Sequence, residues 1–258
     1  MKIDLSEVDQ PRSCKPDGHD ALREIVIEEG AVGYLEELME SGFLRKYIHP
    51  VIICDTNTFE ATEEIMENIY DRCEVIMMEA EGLLADETAV EIIRANRVED
   101  MDLILAVGSG TIHDLSRYIA YEEGIPVVSV PTAASEGGFL SDAAEMVYDG
   151  KVYRAKAAEP ICVIADTDIV SHAPESLNAS GMSGLSESYV KLKEWQKNHK
   201  DEWDDLPILK KAKSAVKQAA NCMDGISEGD PDDCEKLICA LLLAELALRI
   251  IESDKQAE

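Results

Sequence analysis

The most regular feature of the chain is an alternation, over residues 51–165, of short apolar runs with longer stretches of helical periodicity. The apolar runs are unbroken, which is typical of strands that are buried on both faces of a parallel sheet. Strands are predicted at VIICD (51–55), CEVIMME (73–79), DLILAV (102–107), PVVSV (126–130) and ICVIADTD (161–168). Helices are predicted between them. This pattern predicts a doubly wound α/β unit of the nucleotide-binding kind.

The pattern changes after Pro131. A loop of small residues, PTAASEGGFLS, leads to two apolar segments separated by Asp149 and Gly150, which predict a β-hairpin turn. From Pro174 onward the periodicity is entirely helical. The predicted fold class is therefore α/β, with an N-terminal doubly wound parallel sheet in a Rossmann-like domain over residues 1–170 and an all-α domain over residues 171–258.

Charge is the outlying property of the composition. Among 258 residues, 53 are acidic and 24 are Lys or Arg, which gives a formal net charge of -29. Such a chain repels a polyphosphate backbone or an anionic membrane, so we expect no nucleic acid partner. The acidity fits either a heavily solvated surface or a docking surface for a basic protein. The apolar run at 237–251 is shorter than a membrane span and contains Glu245 and Arg249, so a buried helix is predicted there.

The cysteines indicate a reducing environment. They are odd in number, form no C-x-x-C pair, and several lie inside apolar runs, which is typical of reduced, buried thiols. The first ten residues contain no apolar segment after the single lysine, so no signal peptide is predicted and we expect a cytoplasmic location. The cysteines are Cys14, Cys54, Cys73, Cys162, Cys222, Cys234 and Cys239.

A candidate phosphate-binding loop lies at Gly108-Ser109-Gly110, between a predicted strand and a predicted helix. Backbone N–H groups converge at such a turn and the helix dipole favours an anion, so a pyrophosphate is expected against residues 108–112. His113 stands where the third glycine of a G-x-G-x-x-G motif would fall. A tight turn from strand to helix without any ligand therefore stays an alternative.

Two further segments are predicted to lie beside this loop. Asp55 ends the first predicted strand, where its carboxylate could accept hydrogen bonds from a ribose or could cap the next helix. The segment Thr132–Ser135 follows another strand and offers hydroxyl groups and bare backbone. Because open α/β sheets bind ligands at the carboxyl edge of the strands, the three candidates support one another.

Four stretches together resemble the sn-glycerol-1-phosphate dehydrogenases, which belong to the superfamily of metal-dependent polyol dehydrogenases and dehydroquinate synthase. They are AVGSGTIHDLSRY (106–118), GIPVVSVPTAASEGGFLSDAA (124–144), the stretch from VIADTDIV to VKLKEW (163–195), and LICALLLAELAL (237–248). The resemblance covers the chain from about residue 20 to about residue 250. It implies NAD or NADP as cofactor and hydride transfer to dihydroxyacetone phosphate, with a zinc or nickel ion polarising the carbonyl.

The resemblance also implies which residues contact the nicotinamide dinucleotide. They are Gly108, Ser109, Gly110, Thr111, Ile112, Thr132, Ala133, Ala134, Ser135 and Ser141, with Asp55 on the ribose side. The charge of Asp55 opposes a 2′-phosphate and so favours NAD over NADP.

The chain departs from the family pattern at two positions that serve catalysis. Gly137 stands where the family has an Asp that faces the substrate, and Gly184 stands where it has an Asp that ligates the metal. The family's histidine ligands follow the segment that matches 237–248, whereas all five histidines of this chain precede it and are interpreted as surface or loop residues. We therefore expect that the metal is not bound and that metal-dependent catalysis is lost, as in a pseudoenzyme.

Two functional hypotheses stay open. The first is a dinucleotide-binding protein whose helical domain, incomplete relative to the family, presents an apolar face to a protein partner or forms a homo-oligomer. The second is an active polyol-phosphate oxidoreductase that retains weak activity or works by variant or metal-free chemistry, with a protonated side chain such as Lys156 or His172 activating the carbonyl. A decayed gene product without a function is a third possibility.

Overall fold

The computed structural model describes Ile3, residues 22–200, Trp203 and residues 206–257. Six parallel strands form its main sheet, in the order β1-β8-β5-β4-β2-β3, and two antiparallel strands form a hairpin. The strands are β1 (Glu24–Glu28), β2 (Pro50–Asp55), β3 (Glu74–Met78), β4 (Leu103–Gly108), β5 (Val127–Pro131), β6 (Ala143–Tyr148), β7 (Lys151–Lys156) and β8 (Cys162–Asp166).

Ten α-helices are described, of which the first five lie among the strands and the last five follow them. The helices are α1 (Ala31–Glu40), α2 (Thr56–Thr62), α3 (Glu67–Tyr70), α4 (Glu87–Ala95), α5 (Gly110–Glu123), α6 (Thr167–Ser171), α7 (Glu175–Asn198), α8 (Pro207–Ala220), α9 (Met223–Glu228) and α10 (Pro231–Ala257). Within the described part of the chain, no helix is both long and apolar enough to cross a membrane.

The predicted α/β class and the five predicted strands are confirmed, with boundaries that differ by one or two residues. The last predicted strand is shorter than expected because Asp166 caps α6 by accepting a hydrogen bond from Asp168 N at 3.0 Å. The edge strand β1 is missing from the prediction. Its five residues pair in parallel with β8, more than a hundred residues away, and so carry no local hairpin signal.

The strand order creates a topological switch point between β2 and β4. From β2 the chain moves outward through α2 and α3 to β3, whereas from β4 it moves the other way through α5 to β5. Because the two connections diverge, the carboxyl ends of β2 and β4 open a crevice at this edge of the sheet. The turns at Asp55 and Gly108 border it.

Each face of the sheet has its own apolar layer. Helices α1 and α3 pack on one face against residues such as Ile52 and Leu105, while α4 and α5 pack on the other against Val51 and Ile104. The five helices after β8 enclose a third core, which also contains Ile25 from β1. Coverage of both faces of β2, β4, β5 and β8, whose residues are all buried, explains why these strands are apolar without alternation.

The hairpin prediction at Asp149-Gly150 is confirmed. Strands β6 and β7 pair on either side of this dipeptide, and both residues adopt positive φ, 49° at Asp149 and 70° at Gly150. Two positive φ values are what a two-residue turn of the primed type requires.

The expectation of unpaired thiols is confirmed for the described cysteines. Six are free, and Cys54, Cys162, Cys234 and Cys239 among them are buried. Cys14 lies outside the described residues.

Gly181 of α7 is a point of close approach between the helical region and the loop that follows β5. A Cβ atom built on Gly181 would lie 1.9 Å from the carbonyl oxygen of Ala134, in the loop that follows β5. One turn earlier, Asn178 Oδ1 accepts a hydrogen bond from Ala134 N at 3.2 Å. By contrast, no atom lies within 4 Å of a Cβ built on Gly184 of the same helix. Only one of these two glycines is required for packing.

We expect Gly181→Ala to lower the free energy of unfolding by more than about 2 kcal/mol, because the new methyl group must displace a carbonyl oxygen of the loop. Gly184→Ala is the matched control, and we expect it to raise stability by about 0.5–1 kcal/mol through helix propensity. Urea unfolding of the two variants measures both effects. Equal shifts would contradict the close contact.

Candidate functional site at the carboxyl edge of the sheet

The turn from β4 to α5 is built around a close approach of strand and helix. A Cβ atom on Gly108 would lie 2.7 Å from Ile112 Cβ, so no larger residue fits without moving the helix. Ser109, the N-cap residue of the 14-residue helix α5, makes no side-chain capping hydrogen bond in the described structure. The first turn of α5 therefore keeps backbone donors and a positive dipole end without a capping side chain.

The neighbouring helix N-termini are satisfied by carboxylates of the chain itself. Asp166 accepts hydrogen bonds from Gly30 N at 3.3 Å and from Val32 N at 3.0 Å, at the start of α1. Asp55 accepts from Thr58 N at 2.8 Å, and Thr58 Oγ1 accepts in return from Asp55 N at 2.9 Å. This is a capping box, as one of the two interpretations of Asp55 predicts. The capping box uses Oδ1 of Asp55, and this residue is 8% exposed at the crevice.

The segment Thr132–Ser135 lies directly beside the Gly108 turn. Thr132 N donates a hydrogen bond to the Gly108 carbonyl oxygen at 3.0 Å, which joins the loop after β5 to the end of β4. Ala133 and Ala134 are buried, and Ser135 Oγ is buried without a hydrogen-bond partner in the described structure. The three predicted segments thus meet at one edge, and a buried hydroxyl without a partner fits a polar ligand there.

Arg117, which the sequence reasoning missed, fixes the far side of this loop. Its side chain is 1% exposed and donates to the carbonyl oxygens of Ser141 at 2.7 Å and Ala143 at 2.6 Å. It also pairs with Asp114 Oδ1 at 2.7 Å, one turn earlier on α5. Burial raises the pKa of Asp114 to about 6, although the Arg117 guanidinium acts in the opposite direction. The i,i+3 spacing of the two charges within an apolar helix was the available signal.

Ser141 has a structural role in addition to its predicted one. Its Oγ accepts a hydrogen bond from Ala143 N at 3.2 Å, and its carbonyl oxygen is held by Arg117. Ser141 is buried, at the start of the β6–β7 hairpin.

His113 corrects the interpretation of the histidines as surface or loop residues. It is fully buried on α5, and its Nδ1 lies 3.0 Å from the Ser109 carbonyl oxygen. Its ring packs edge-on against Phe139, with the ring centroids 4.7 Å apart. Burial lowers the pKa of His113 to about 3, so the imidazole is neutral near pH 7. The position of a third glycine is thus occupied by a packed side chain.

Glu136 is the second residue that the sequence reasoning passed over. Its carboxylate lies between Gly110, the first residue of α5, and Gly138, where added Cβ atoms would come within 2.9 Å of it. Its Oε1 is buried and has no hydrogen-bond partner in the described structure. Burial, reinforced by the charge of Asp114, raises the pKa of Glu136 to about 7. A carboxyl group that titrates near neutrality is characteristic of functional sites.

The residues described do not fit the metal that the family resemblance implies. At Gly137 a Cβ atom would lie 2.8 Å from the Leu241 carbonyl oxygen of α10, so this helix fills the space of a side chain. Gly184 offers space but no ligand. Within residues 22–200 and 206–257, no group of three or more His, Cys, Asp or Glu side chains is placed to hold a metal ion.

A comparison with protein families identifies the architecture. The model of iron-containing alcohol dehydrogenases matches residues 26–174, which is more than half of the chain. The chain belongs to the iron-containing alcohol dehydrogenase family. The matched residues contain β4, α5 and the loop after β5, so the family assignment covers the whole candidate site.

Relatives within the family carry a more specific name. The chain is 32% identical over 249 residues to a glycerol-1-phosphate dehydrogenase [NAD(P)+] of Bacillus velezensis, covering 92% of this chain and 61% of that protein. It is 31% identical over 201 residues to one of Pyrococcus furiosus, covering 76% and 56%. The family expected from the sequence is thus confirmed, and the chain spans about three fifths of the length of these relatives.

Solved structures confirm the fold. Glycerol dehydrogenase from Schizosaccharomyces pombe superposes with a TM-score of 0.70 at 18% identity, covering 86% of this chain and 59% of that one. A sulfoacetaldehyde reductase from Bifidobacterium kashiwanohense, in complex with NAD+, gives 0.66 at 18% identity, with coverages of 89% and 65%.

We expect Arg117→Gln to lower the free energy of unfolding by about 3 kcal/mol, because it leaves two carbonyl oxygens and Asp114 without their buried partner. Arg97→Gln is the control, since it breaks an exposed ion pair with Glu123, and we expect little change. Urea unfolding at about pH 7 compares the two. A shift for Arg117→Gln no larger than that for Arg97→Gln contradicts the structural role.

Proposed function

We propose that this chain binds a nicotinamide dinucleotide at the crevice between β2 and β4. The observation that carries the proposal is the N-terminus of α5, which has no capping side chain and is joined to the loop after β5 at a topological switch point. Both features are typical of pyrophosphate binding in doubly wound sheets.

The proposed roles follow from the position of each residue. Gly108 lets β4 and α5 pack closely at the turn, and the first turn of α5, including Gly110, Thr111 and Ile112, offers N–H donors to the pyrophosphate. Thr132 and Ser135 supply hydroxyl groups at the neighbouring strand end. A nicotinamide held there would be able to supply or accept a hydride. Ala133 and Ala134 keep that part of the loop free of bulky side chains.

Asp55 is proposed to select the cofactor. Its Oδ1 accepts the capping-box hydrogen bond from Thr58 N, and the residue is 8% exposed at the end of β2. A carboxylate at the end of this strand can accept hydrogen bonds from a ribose and repels a 2′-phosphate, so we propose a preference for NAD over NADP.

We further propose that the protein is a relative of glycerol-1-phosphate dehydrogenase in which metal-dependent catalysis is lost. Support comes from two positions inside the chain, Gly137 and Gly184, where carboxylates of the family pattern are replaced by glycine. An ion held by too few ligands cannot act as the Lewis acid that polarises a ketone. We also propose the division at residue 170 between a cofactor domain and a helical domain.

The alternative function is an active oxidoreductase that uses a protonated side chain. Lys156 and His172 are both exposed, and His172 Nδ1 lies 2.6 Å from the Asp168 carbonyl oxygen. The buried carboxyl group of Glu136, beside the proposed cofactor site, favours this alternative more strongly than they do.

Dinucleotide binding and its selectivity are tested with Asp55 variants. We expect the unmodified protein to bind NADH about fivefold or more tightly than NADPH, and Asp55→Asn to reduce that ratio because it removes the charge. Asp55→Asn retains the cap, whereas Asp55→Ala is expected to lose about 1 kcal/mol of stability. Titration by nicotinamide fluorescence gives the affinities. Failure of the unmodified protein to bind either dinucleotide rejects the proposal.

Loss of metal-dependent catalysis is tested by metal analysis and turnover. We expect substoichiometric zinc and nickel after purification from supplemented medium, and no oxidation of NADH or NADPH with dihydroxyacetone phosphate, with or without added metal. A bound stoichiometric metal would contradict the proposal. Turnover in the presence of a chelator would instead establish the metal-free alternative.

A further inference from the structure

The carboxylate of Glu136 occupies a space that two glycines leave open at the start of α5. A Cβ atom on Gly110 would lie 2.9 Å from Glu136 Cδ and 3.0 Å from its Oε2, while one on Gly138 would lie 2.9 Å from Oε1. Gly110 is the first residue of α5, so the acid group lies against the first turn, where we place the pyrophosphate. The Glu136 carboxylate and the proposed pyrophosphate would therefore lie close together at the first turn of α5.

The surroundings of Glu136 disfavour its charged form. Oε1 is buried without a hydrogen-bond partner, and the charged groups that influence it are Asp114 and Arg117 from α5, Glu145 from β6 and Glu245 from α10. Three carboxylates thus disfavour its charge and one guanidinium favours it, and Arg117 already pairs with Asp114 and donates to two backbone carbonyl oxygens. A buried carboxylate in such a field is stabilised by taking up a proton.

We propose that Glu136 couples dinucleotide binding to proton uptake, so that the chain takes one proton from solvent onto the Glu136 carboxylate when the pyrophosphate binds beside α5. The inference rests on the proposed dinucleotide site and adds a pH dependence to it. No covalent bond changes, and the proton comes from water or buffer.

The direction of the effect follows from linkage. In the free chain, burial and the neighbouring acids raise the pKa of Glu136 to about 7, and the two negative charges of a pyrophosphate raise it further in the complex. Affinity is therefore greatest below the pKa of the free chain. It falls as the pH rises above about 7, by up to about tenfold per pH unit, until the pKa of the complex is passed.

The neighbouring groups His113 and Asp114 explain the expected pH dependence of dinucleotide affinity less well than Glu136 does. Burial lowers the pKa of His113 to about 3, so that the ring stays neutral through the range of interest. The pKa of Asp114, about 6, lies below that of Glu136, and this carboxylate is paired with Arg117 at 2.7 Å. Glu136 is the buried acid among them without a hydrogen-bond partner on Oε1.

Calorimetric titration of NAD+ into the unmodified protein provides the first test. Measurements at about pH 7.5 in two buffers of different ionisation enthalpy give the number of protons exchanged, which we expect to be a net uptake approaching one. The Kd is expected to weaken at least about fivefold between about pH 6.5 and pH 8.5. Binding without proton uptake, or a Kd independent of pH, overturns the inference.

The variants assign the proton to a residue. Glu136→Gln keeps the shape and removes the charge, so we expect a Kd that no longer changes with pH and is tighter than that of the unmodified protein at about pH 8.5. Glu145→Gln, the matched control at an exposed position of β6, should retain the pH dependence. Glu136→Ala is a second variant with the same expected result, should the first fail to fold.

The failures of the two proposals are distinguishable. An equal pH dependence in the Glu136 variants and the unmodified protein overturns the role of Glu136 while leaving the dinucleotide site intact. An absence of binding in every protein at every pH overturns the site and the inference together.

Discussion

The contact between helix α7 and the loop after β5 is the constraint on which the rest of the site depends. Gly181 lets the helix backbone meet the Ala134 carbonyl, and Asn178 receives the Ala134 amide from the same helix. These contacts give the first part of the loop, residues 132–137, a fixed position although it belongs to no strand or helix. They also join the helical region to the sheet at the edge where parallel sheets bind their ligands.

The polar groups of the site contact this loop at both of its ends. Thr132 connects it to Gly108 on one side, and Arg117 holds its far end through Ser141. Helix α10 covers it at Gly137, which contributes to the burial of the adjacent Glu136. The electrostatic character of the site is therefore a product of packing, because a carboxylate with water around it would ionise normally.

The described helix N-termini along the carboxyl edge of the sheet differ in the way their donors are satisfied. Carboxylates of the chain cap α1 and α2. Helix α5 has Ser109 as its N-cap residue, without a side-chain capping hydrogen bond, and the Glu136 carboxylate lies beside its first residue. Such an arrangement leaves donors for an external anion and places a competing charge next to them. In the proposed complex, affinity for the anion would depend on whether the Glu136 carboxyl group is protonated.

The sequence alone determined the α/β class, five of the six sheet strands, the hairpin turn and the segments that meet at the carboxyl edge, because apolar periodicity and glycine chemistry are local properties. It did not determine β1, whose pairing partner lies more than a hundred residues away, or the burial of His113 on α5. Arg117 and Glu136 became recognisable only in three dimensions. Their hydrogen bonds, their neighbours and the pKa of Glu136 arise from segments that the fold brings together, and a linear pattern contains no information on the solvent that such packing excludes.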